Sequence, residues 1–220
     1  SPRIDGVSTS SPVQEGELID IEVDASDPGD DQLTYQFDWD GDGQFDTEPS
    51  FNNRAQFRYP RDGQLSGSVR VRDDDGAFVD APFTISILNA PPRINQIIAP
   101  PGIAEGTDFE VRVIAEDGGG DPLTFSYDID EDGVNDAAGA DLDRINVNYP
   151  DDGLYVVRVQ VCDDQNACST GEVPVNVGNI RPRILSVTAT SPIVEGQSSR
   201  IVIDAVDVQG DPLLYAFDID

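Results

Sequence analysis

An internal repeat of 90 residues, which continues without insertion or deletion, constrains this chain more than any other feature. Two short motifs recur at that spacing: PRI begins at Pro2, Pro92 and Pro182, and EG begins at Glu15, Glu105 and Glu195. A fixed period of this kind indicates one structural unit that is used several times. The repeat predicts three domains, with residues 1–90 and 91–180 as complete units and residues 181–220 as the first part of a third.

Within each unit, apolar and polar residues alternate with a period of two. In the segment LIDIEVDA, for example, Ile19, Ile21 and Val23 fall on one face and acidic residues fall on the other. This period is typical of half-buried β-strands, and turn-forming clusters such as SDPGDD and RDDDG separate the alternating runs. About seven short strands in each unit predict an all-β fold, with tandem antiparallel β-sandwiches of immunoglobulin-like topology in a linear array.

The charge of the chain argues against several classes of partner. Its formal net charge is −30, because 33 Asp and 10 Glu are balanced by only 13 Arg and by no Lys. Such a surface repels phosphate backbones and anionic lipids, and no apolar run approaches the roughly 18 residues of a membrane helix. We therefore expect no nucleic-acid partner and no membrane insertion. Adaptation to high salt and a GC-rich coding bias both explain general acidity, but neither explains aspartates at regular spacings.

Two stretches, FDWDGDGQFD and YDIDEDGVND, concentrate aspartates directly after an alternating run. They fit the calcium-loop template D-x-[DN]-x-[DN]-G, with Gly43 and Gly133 at the turn. The candidate metal ligands are Asp38, Asp40, Asp42 and Asp46 in the first stretch and Asp128, Asp130, Asp132 and Asp136 in the second. Oxygen donors that converge from a tight turn predict Ca²⁺ as the cofactor, since Mg²⁺ tends to retain its water. The alternative is that these residues are solvated turn aspartates without a metal.

The expected topology also predicts where acidic residues of successive units meet. The loops at one pole of a sandwich would face the loops at the opposite pole of the next unit, and Pro91 and Pro92 stiffen the linker NAPPRI between them. We expect Ca²⁺ at or near these junctions, where it would neutralise the carboxylates. The possible junction ligands are Glu15, Asn89, Glu105, Asp117, Asp121, Asp207 and Asp211.

Two motifs resemble those of a known family. The segment FDWDGDG resembles the W-D-F-G-D-G motif of PKD-type and related cadherin-like modules, and YPDDGLYVV, residues 149–157, resembles their Y-P-x-x-G-x-Y-x-V pattern. In the first repeat Leu65 stands where Tyr155 stands in the second, which departs from that pattern. The aspartate stretches resemble the D-x-D-x-D-G-x-x-D loops of thrombospondin-type repeats more than an EF-hand. The resemblance implies tandem immunoglobulin-like modules on a bacterial or archaeal cell surface.

The two cysteines, Cys162 and Cys168, flank the sequence DDQNA. This spacing suits a disulfide between the two arms of a hairpin, whereas two cysteines without histidine fall short of a zinc ligand set. A disulfide indicates an oxidising compartment, so we expect an extracellular or periplasmic location.

Three smaller features favour structural interpretations over binding roles. The sequence DDDG, residues 73–76, is a possible second ligand cluster, but its residue types favour a hairpin turn. Arg54 and Arg144 occupy equivalent positions and are expected to pair with nearby carboxylates. Trp39 alternates with other apolar residues, so we expect it in the core and not as a platform for sugars.

The same features favour a structural function over catalysis. The chain has no His and no nucleophile motif, and a repeated unit suits a spacer or fibre better than a single active site. A carboxylate pair could serve a glycosidase, but these aspartates lie in repeated turns. We expect a non-catalytic extracellular segment, a calcium-rigidified stalk or spacer of a larger surface or secreted protein, with neighbouring repeats as its partners.

An alternative function is an assembling fibre subunit or an accessory module that binds protein or carbohydrate directly, with other copies of the chain or a cell-surface ligand as partner. The third unit contains only its first strands, up to AFDID at residues 216–220. Either the sequence is cut from a longer array, which is the simpler interpretation, or another chain supplies the missing strands by β-augmentation.

Overall fold

The structure is a computed structural model that describes residues 1–208 and 211–218. The chain forms two compact units: unit 1 is Ser1–Arg93, Ala115–Leu123 and Cys162–Ser169, and unit 2 is Ile94–Ile114, Thr124–Val161 and Thr170–Asp220. Two loops of the second repeat thus belong to unit 1. The bounds 1–90, 91–180 and 181–220 remain predictions, and residues 209–210 and 219–220 of the third lie outside the described residues.

The first repeat is a sandwich of seven strands. They are β1 (Arg3–Thr9), β2 (Val13–Gln14), β3 (Leu18–Ser26), β4 (Thr34–Asp38), β5 (Arg54–Arg58), β6 (Gly63–Arg72) and β7 (Phe78–Leu88). One sheet has the order β1-β3-β5 and the other has the order β2-β7-β6-β4. All pairings are antiparallel except that β2 runs parallel to β7. This strand order confirms the predicted immunoglobulin-like β-sandwich.

The second repeat has the corresponding arrangement. Its strands are β8 (Arg93–Ile98), β9 (Gly102–Ala104), β10 (Phe109–Glu116), β11 (Thr124–Asp128), β12 (Ala137–Ala140), β13 (Arg144–Val147), β14 (Gly153–Cys162) and β15 (Cys168–Gly178). The sheets have the orders β13-β10-β8 and β12-β11-β14-β15-β9. The recurrence confirms tandem all-β domains. No helix in the described part of the chain is long and apolar enough to cross a membrane.

The third repeat contributes the antiparallel pair β16 (Arg183–Ala189) and β17 (Ile201–Val206). By the register of the repeat, a strand is expected up to residues 216–220, but residues 211–218 form none. In the first repeat the corresponding strand β4 pairs with β6, and the described residues of the third repeat contain no such partner.

The inward-facing residues of the alternating runs form the core, as the period of two predicts. Ile19, Ile21 and Val23 are fully buried. Trp39 is also buried, and its ring stacks on the ring of Phe37 with 5.1 Å between the two centroids. Tyr59 donates its hydroxyl hydrogen bond to the backbone carbonyl of Trp39. This bond anchors the end of β4, where the first aspartate loop begins.

The predicted disulfide is present and links Cys162 at the end of β14 to Cys168 at the start of β15. In the first repeat, Arg72 and Phe78 stand at the equivalent positions. The guanidinium carbon of Arg72 lies 5.7 Å from the centroid of the Phe78 ring. Residues 73–76 form the hairpin turn between β6 and β7, as predicted, with the Asp73 amide donating to the Ala77 carbonyl at 3.0 Å.

Candidate metal centres

One acidic group in unit 1, here called the Glu15 cluster, consists of Glu15, Asp117 and Asp121. Glu15 follows β2, while Asp117 and Asp121 lie in the loop between β10 and β11. One carboxylate oxygen from each of the three lies within 4.8 Å of the others. Glu15 is only 2% exposed. Asp117 and Asp121 are half-buried, so the three carboxylates meet where the access of water is limited.

Backbone contacts hold Glu15 in this position. Its amide donates to the Leu88 carbonyl at 3.0 Å, and its Oε1 accepts a hydrogen bond from the Ala90 amide at 3.0 Å. Two glycines permit the close approach of the loops: a Cβ on Gly16 would clash with the Gly118 carbonyl, and a Cβ on Gly119 would clash with the Glu15 carboxylate. The glycines of EG and EDGGGD are therefore part of the site.

Several oxygens in and beside this cluster are buried without a hydrogen-bond donor among the described residues. They are Glu15 Oε2, Asp117 Oδ2, Asp121 Oδ2 and Asn89 Oδ1. A buried acceptor that lacks a donor is costly, and a buried carboxylate is costlier still unless a positive charge compensates it. The arrangement is therefore chemically suited to a hard cation, for which carboxylate and amide oxygens are the preferred ligands.

The electrostatics of the Glu15 cluster follow from its burial. Burial raises the pKa of Glu15, the Ala90 amide lowers it, and the charges of Asp121, Asp117 and Asp62 raise it further. Burial is also the main cause of the raised pKa of Asp121, followed by the charges of Asp164 and Asp117. The carboxylates therefore repel one another when all of them are ionised, and a bound cation would relieve that repulsion.

A second group, here called the Glu105 cluster, repeats the arrangement in unit 2 with Glu105, Asp207 and Asp211. Each member lies 90 residues after its counterpart in the Glu15 cluster. Glu105 Oε1 accepts a hydrogen bond from the Ile180 amide at 2.5 Å, and Glu105 Oε2 is buried without a donor among the described residues. Burial, followed by the charge of Glu105, raises the pKa of Asp211.

The counterparts of Asp117 and Asp121 in the first repeat are Asp27 and Asp31. They form a third acidic group together with Asp73, the first residue of the turn after β6. The same loop positions thus gather carboxylates in all three repeats.

The first aspartate loop, residues 38–46, is organised differently. Asp38 is 2% exposed, but its Oδ1 accepts from the Gly41 amide at 2.8 Å and its Oδ2 accepts from the Gly43 amide at 3.0 Å. Exposed Asp40 and Asp42 complete a group whose oxygens lie within 4.8 Å of one another. Asp46 joins the two ends of the loop, because its Oδ2 accepts a hydrogen bond from the Trp39 amide at 2.7 Å. Backbone amides therefore already stabilise this loop.

The second aspartate loop, residues 128–136, has a similar turn and an added positive charge. It differs at one oxygen, because Asp38 Oδ1 accepts from the Gly41 amide whereas Asp128 Oδ1 is buried without a donor among the described residues. Asp128 Oδ2 accepts from the Gly133 amide at 3.2 Å, and Asp136 Oδ2 accepts from the Ile129 amide at 2.8 Å. Arg158 Nη1 lies 3.8 Å from Asp128 Oδ2, and Arg158 Nη2 lies 3.0 Å from Glu131 Oε2.

The two aspartate loops differ at two equivalent positions. In the first loop, Ser68 stands in place of Arg158 and donates to Asp38 Oδ2 at 3.4 Å, and Gly41 stands in place of Glu131. Among the residues that the structure describes, no arginine pairs with Asp38, the buried aspartate of the first loop.

The structure thus sorts the residues predicted from the sequence into separate groups. The possible junction ligands form the Glu15 cluster with Asn89 beside it and the Glu105 cluster, while the aspartate loops form groups of their own. Arg54 pairs with Glu22 at 2.8 Å and Arg144 pairs with Asp143 at 3.0 Å, as predicted. Arg158 was missed, although its replacement by Ser68 at an offset of 90 was visible in the sequence.

No protein-family model matches the chain, and no curated protein matches it. One similar solved structure is the PKD domain of an M14-like peptidase from Thermoplasmatales archaeon SCGC AB-540-F20, with 25% identity, a TM-score of 0.36, and coverage of 41% of this chain and 98% of that chain. Another is the fibronectin(III)-like modules of Clostridium thermocellum CbhA, with 15% identity, a TM-score of 0.35, and coverage of 78% and 94%.

The insect immune protein hemolin is also similar, with 14% identity, a TM-score of 0.45, and coverage of 81% of this chain and 47% of that chain. These are likenesses of fold to PKD, fibronectin III and immunoglobulin domains. The assignment of this chain to immunoglobulin-like β-sandwiches rests on its own strand order, described above.

Proposed function

We propose that this chain is a non-catalytic segment of extracellular structural or adhesion repeats that binds Ca²⁺ at the Glu15 and Glu105 clusters. The observation that carries the proposal is the set of buried oxygens without donors at the Glu15 cluster. The grouping of three carboxylates recurs 90 residues later, with Glu105 Oε2 again buried without a donor among the described residues. Bound Ca²⁺ would make the segment a stiff stalk or spacer of a larger surface or secreted protein. The disulfide supports an oxidising location.

The ligand set favours Ca²⁺ over other cations. The donors are carboxylate and amide oxygens, which hard cations prefer, and the described residues offer no sulfur or imidazole ligand there. Ca²⁺ accepts six to eight oxygens at irregular angles, whereas Mg²⁺ requires a near-octahedral shell and keeps several waters. The aspartate loops are proposed as additional and weaker Ca²⁺ sites. In the first loop, both oxygens of Asp38 already accept from backbone amides. In the second loop, Asp128 Oδ1 is buried without a donor among the described residues, but Arg158 already brings a positive charge to within 3.8 Å of Asp128 Oδ2.

Stiffening follows from the origin of the ligands. Glu15 and Asn89 come from the first repeat, while Asp117 and Asp121 come from a loop of the second repeat that packs within the same compact unit. The Ala90 amide, in the linker between the repeats, is bonded to Glu15 itself. A cation held by all of these groups would resist bending at the linker. Its stabilisation of the folded state would be about 2.7 kcal/mol at a Ca²⁺ concentration of 100 times Kd.

The test is a titration of the whole chain with Ca²⁺ by calorimetry and thermal melting, with Mg²⁺ as the control cation and high sodium chloride throughout. We expect two strong sites, and we expect Glu15→Gln and Glu105→Gln each to remove one of them. Glu17→Gln is the matched control, because Glu17 is exposed and belongs to neither cluster. Absence of heat, with thermal stability that follows only sodium chloride, would mean that the acidity is an adaptation to salt.

A further inference from the structure

Asp163 is a buried carboxylate that the proposed site does not use directly. It follows β14 inside the hairpin that the disulfide closes, and it is 3% exposed. Its Oδ1 accepts from the amides of Gln165 at 2.8 Å and Ala167 at 2.9 Å. These two bonds hold the turn and fix the direction of the carboxylate, so Oδ2 points away from the turn.

Asp163 Oδ2 accepts a hydrogen bond from Asn89 Nδ2 at 2.9 Å. An ionised carboxylate can only accept, so it selects the orientation in which the Asn89 amide nitrogen faces Asp163. The Asn89 carbonyl oxygen, Oδ1, is then directed elsewhere, and it is buried without a donor among the described residues.

The neighbours of Asn89 place it beside the Glu15 cluster. The Leu88 carbonyl accepts from the Glu15 amide, and the Ala90 amide donates to Glu15 Oε1, so both residues that flank Asn89 are bonded to Glu15. A neutral carbonyl oxygen at this position would add a ligand without adding to the repulsion among the three carboxylates. Amide carbonyls are regular Ca²⁺ ligands.

We infer that Asn89 Oδ1 is a ligand of the cation in the Glu15 cluster, and that Asp163 is the positioning residue that turns this oxygen towards it. The inference rests on the proposed calcium site. Asp163 accepts from the amide nitrogen of Asn89 and so orients the amide oxygen, which is the ligand atom, as carboxylates do for ligands in many metal sites. The hairpin closed by Cys162 and Cys168 is thereby tied to metal affinity.

The substitution Asp163→Asn reverses the polarity of this contact with little change of shape. The introduced side chain can still accept from Gln165 and Ala167 through its Oδ1, which directs its amide nitrogen at Asn89. Asn89 must then turn its oxygen towards residue 163 and its nitrogen towards the cation. We expect calorimetry with CaCl₂ on the whole chain to show an affinity for the Glu15 site about 10- to 100-fold lower.

A double-mutant cycle separates positioning from general support of the fold. Asn89→Ala removes the ligand oxygen and leaves Asp163 in place, so it should lower the affinity by a similar factor. Asp163→Asn should then cause no further loss in the Asn89→Ala background, because its effect passes through Asn89.

A charge swap provides a rescue that a merely structural role would not allow. Asn89→Asp combined with Asp163→Asn should restore affinity to within about 10-fold of the wild-type value. In this double variant the carboxylate introduced at position 89 can accept from the amide introduced at position 163, and it still offers its second oxygen to the cation.

Asp73→Asn is the matched control, because Asp73 is the counterpart of Asp163 and its Oδ1 accepts from Ala77 at 2.7 Å in the same kind of turn. It should leave the affinity of the Glu15 site unchanged. The inference is overturned if Asn89→Ala binds like the wild type, or if the losses in the cycle simply add. If the wild-type chain and Glu15→Gln respond to CaCl₂ identically, the proposed calcium site itself fails and the inference fails with it.

Discussion

The first aspartate loop and the Glu15 cluster are both acidic, but their oxygens are satisfied in opposite ways. In the loop, both oxygens of Asp38 accept from backbone amides, and its other aspartates are exposed. In the cluster, Glu15 Oε2 and its neighbours are buried without donors among the described residues. The density of aspartates along the sequence therefore misleads, because the dense loop has the smaller need for a cation.

The largest expected difference between these two regions is in calcium affinity. Glu15→Gln removes one of the charged ligands of a buried site, so we expect the affinity of that site to fall by about 100-fold or more. Asp42→Asn changes an exposed residue that already accepts from Gln44, so the strongest binding should change by less than about 3-fold. Calorimetry on the two variants measures both numbers. Equal losses would abolish the distinction between the two regions.

The second prediction concerns the stability of the metal-free protein. Here the substitution in the first aspartate loop should have a larger effect than the substitution in the Glu15 cluster. Asp38→Ala leaves the Gly41 and Gly43 amides without their acceptor, so we expect the free energy of unfolding to fall by about 1–3 kcal/mol. Glu15→Gln removes a charge from a repelling group and should not destabilise the metal-free protein.

Urea denaturation in a chelator measures this second difference. The control is Asp40→Ala at an exposed position of the same loop, expected to change stability by less than about 0.5 kcal/mol. A greater loss for Glu15→Gln than for Asp38→Ala, both without metal, would contradict the assignment of roles.

The third prediction uses pH. Burial and neighbouring charges raise the pKa of Glu15 and of Asp121 above their ordinary values of 4.5 and 3.8. The folded metal-free state therefore binds protons more tightly than the unfolded state at these groups. Their contribution should make the protein more stable as pH falls through the raised pKa values, and this gain is complete below the ordinary values.

Other carboxylates, such as Asp80 and Asp143, have lowered pKa values, which make the protein less stable as pH falls. The test therefore compares the stability of the wild-type chain with that of Glu15→Gln at each pH. The stability of the wild-type chain minus that of Glu15→Gln should rise as pH falls when a chelator is present. The affinity for Ca²⁺ should instead decrease as the pH decreases, since protons and the cation compete for the same oxygens. A difference that does not depend on pH would argue against a buried, repelling cluster.

The sequence was sufficient for the fold, and it named the members of the Glu15 and Glu105 clusters among its possible junction ligands. The period of two identifies which residues point inwards, and Ile21 and Val111 are buried accordingly. The offset of 90 residues transfers the Glu15 cluster to Glu105, Asp207 and Asp211. Both inferences use spacing alone, which a repeat makes explicit.

What the sequence could not supply is which oxygens already have donors. That depends on the path of the backbone, as in the turn that aims the Gly41 and Gly43 amides at Asp38. It depends also on contacts between distant segments, as between Asn89 and Asp163. A template for a calcium loop contains neither kind of information. It identified only the aspartate loops as candidate metal ligands, and the junction residues followed from the expected topology as possible ligands.

The smallest expected effect separates the two aspartate loops from each other. Arg158 lies beside Asp128 and Glu131 in the second loop, while Ser68 occupies its place in the first. The arginine supplies some of the positive charge that a cation would bring. Its side chain is 49% exposed, so the pairing should contribute only about 0.2–1 kcal/mol to stability.

Arg158→Ser should therefore strengthen weak Ca²⁺ binding at the second loop while lowering stability only slightly, and Ser68→Arg should weaken binding at the first loop. Both are best measured in a Glu15→Gln, Glu105→Gln background, where the stronger sites no longer contribute heat. Arg54→Ser is the matched control, since Arg54 pairs with Glu22 away from either loop. If Arg158→Ser leaves the residual binding unchanged, the arginine does not compete with a cation. The aspartates of the second loop would then serve only to hold the turn, which is the simplest role that their hydrogen bonds to backbone amides allow.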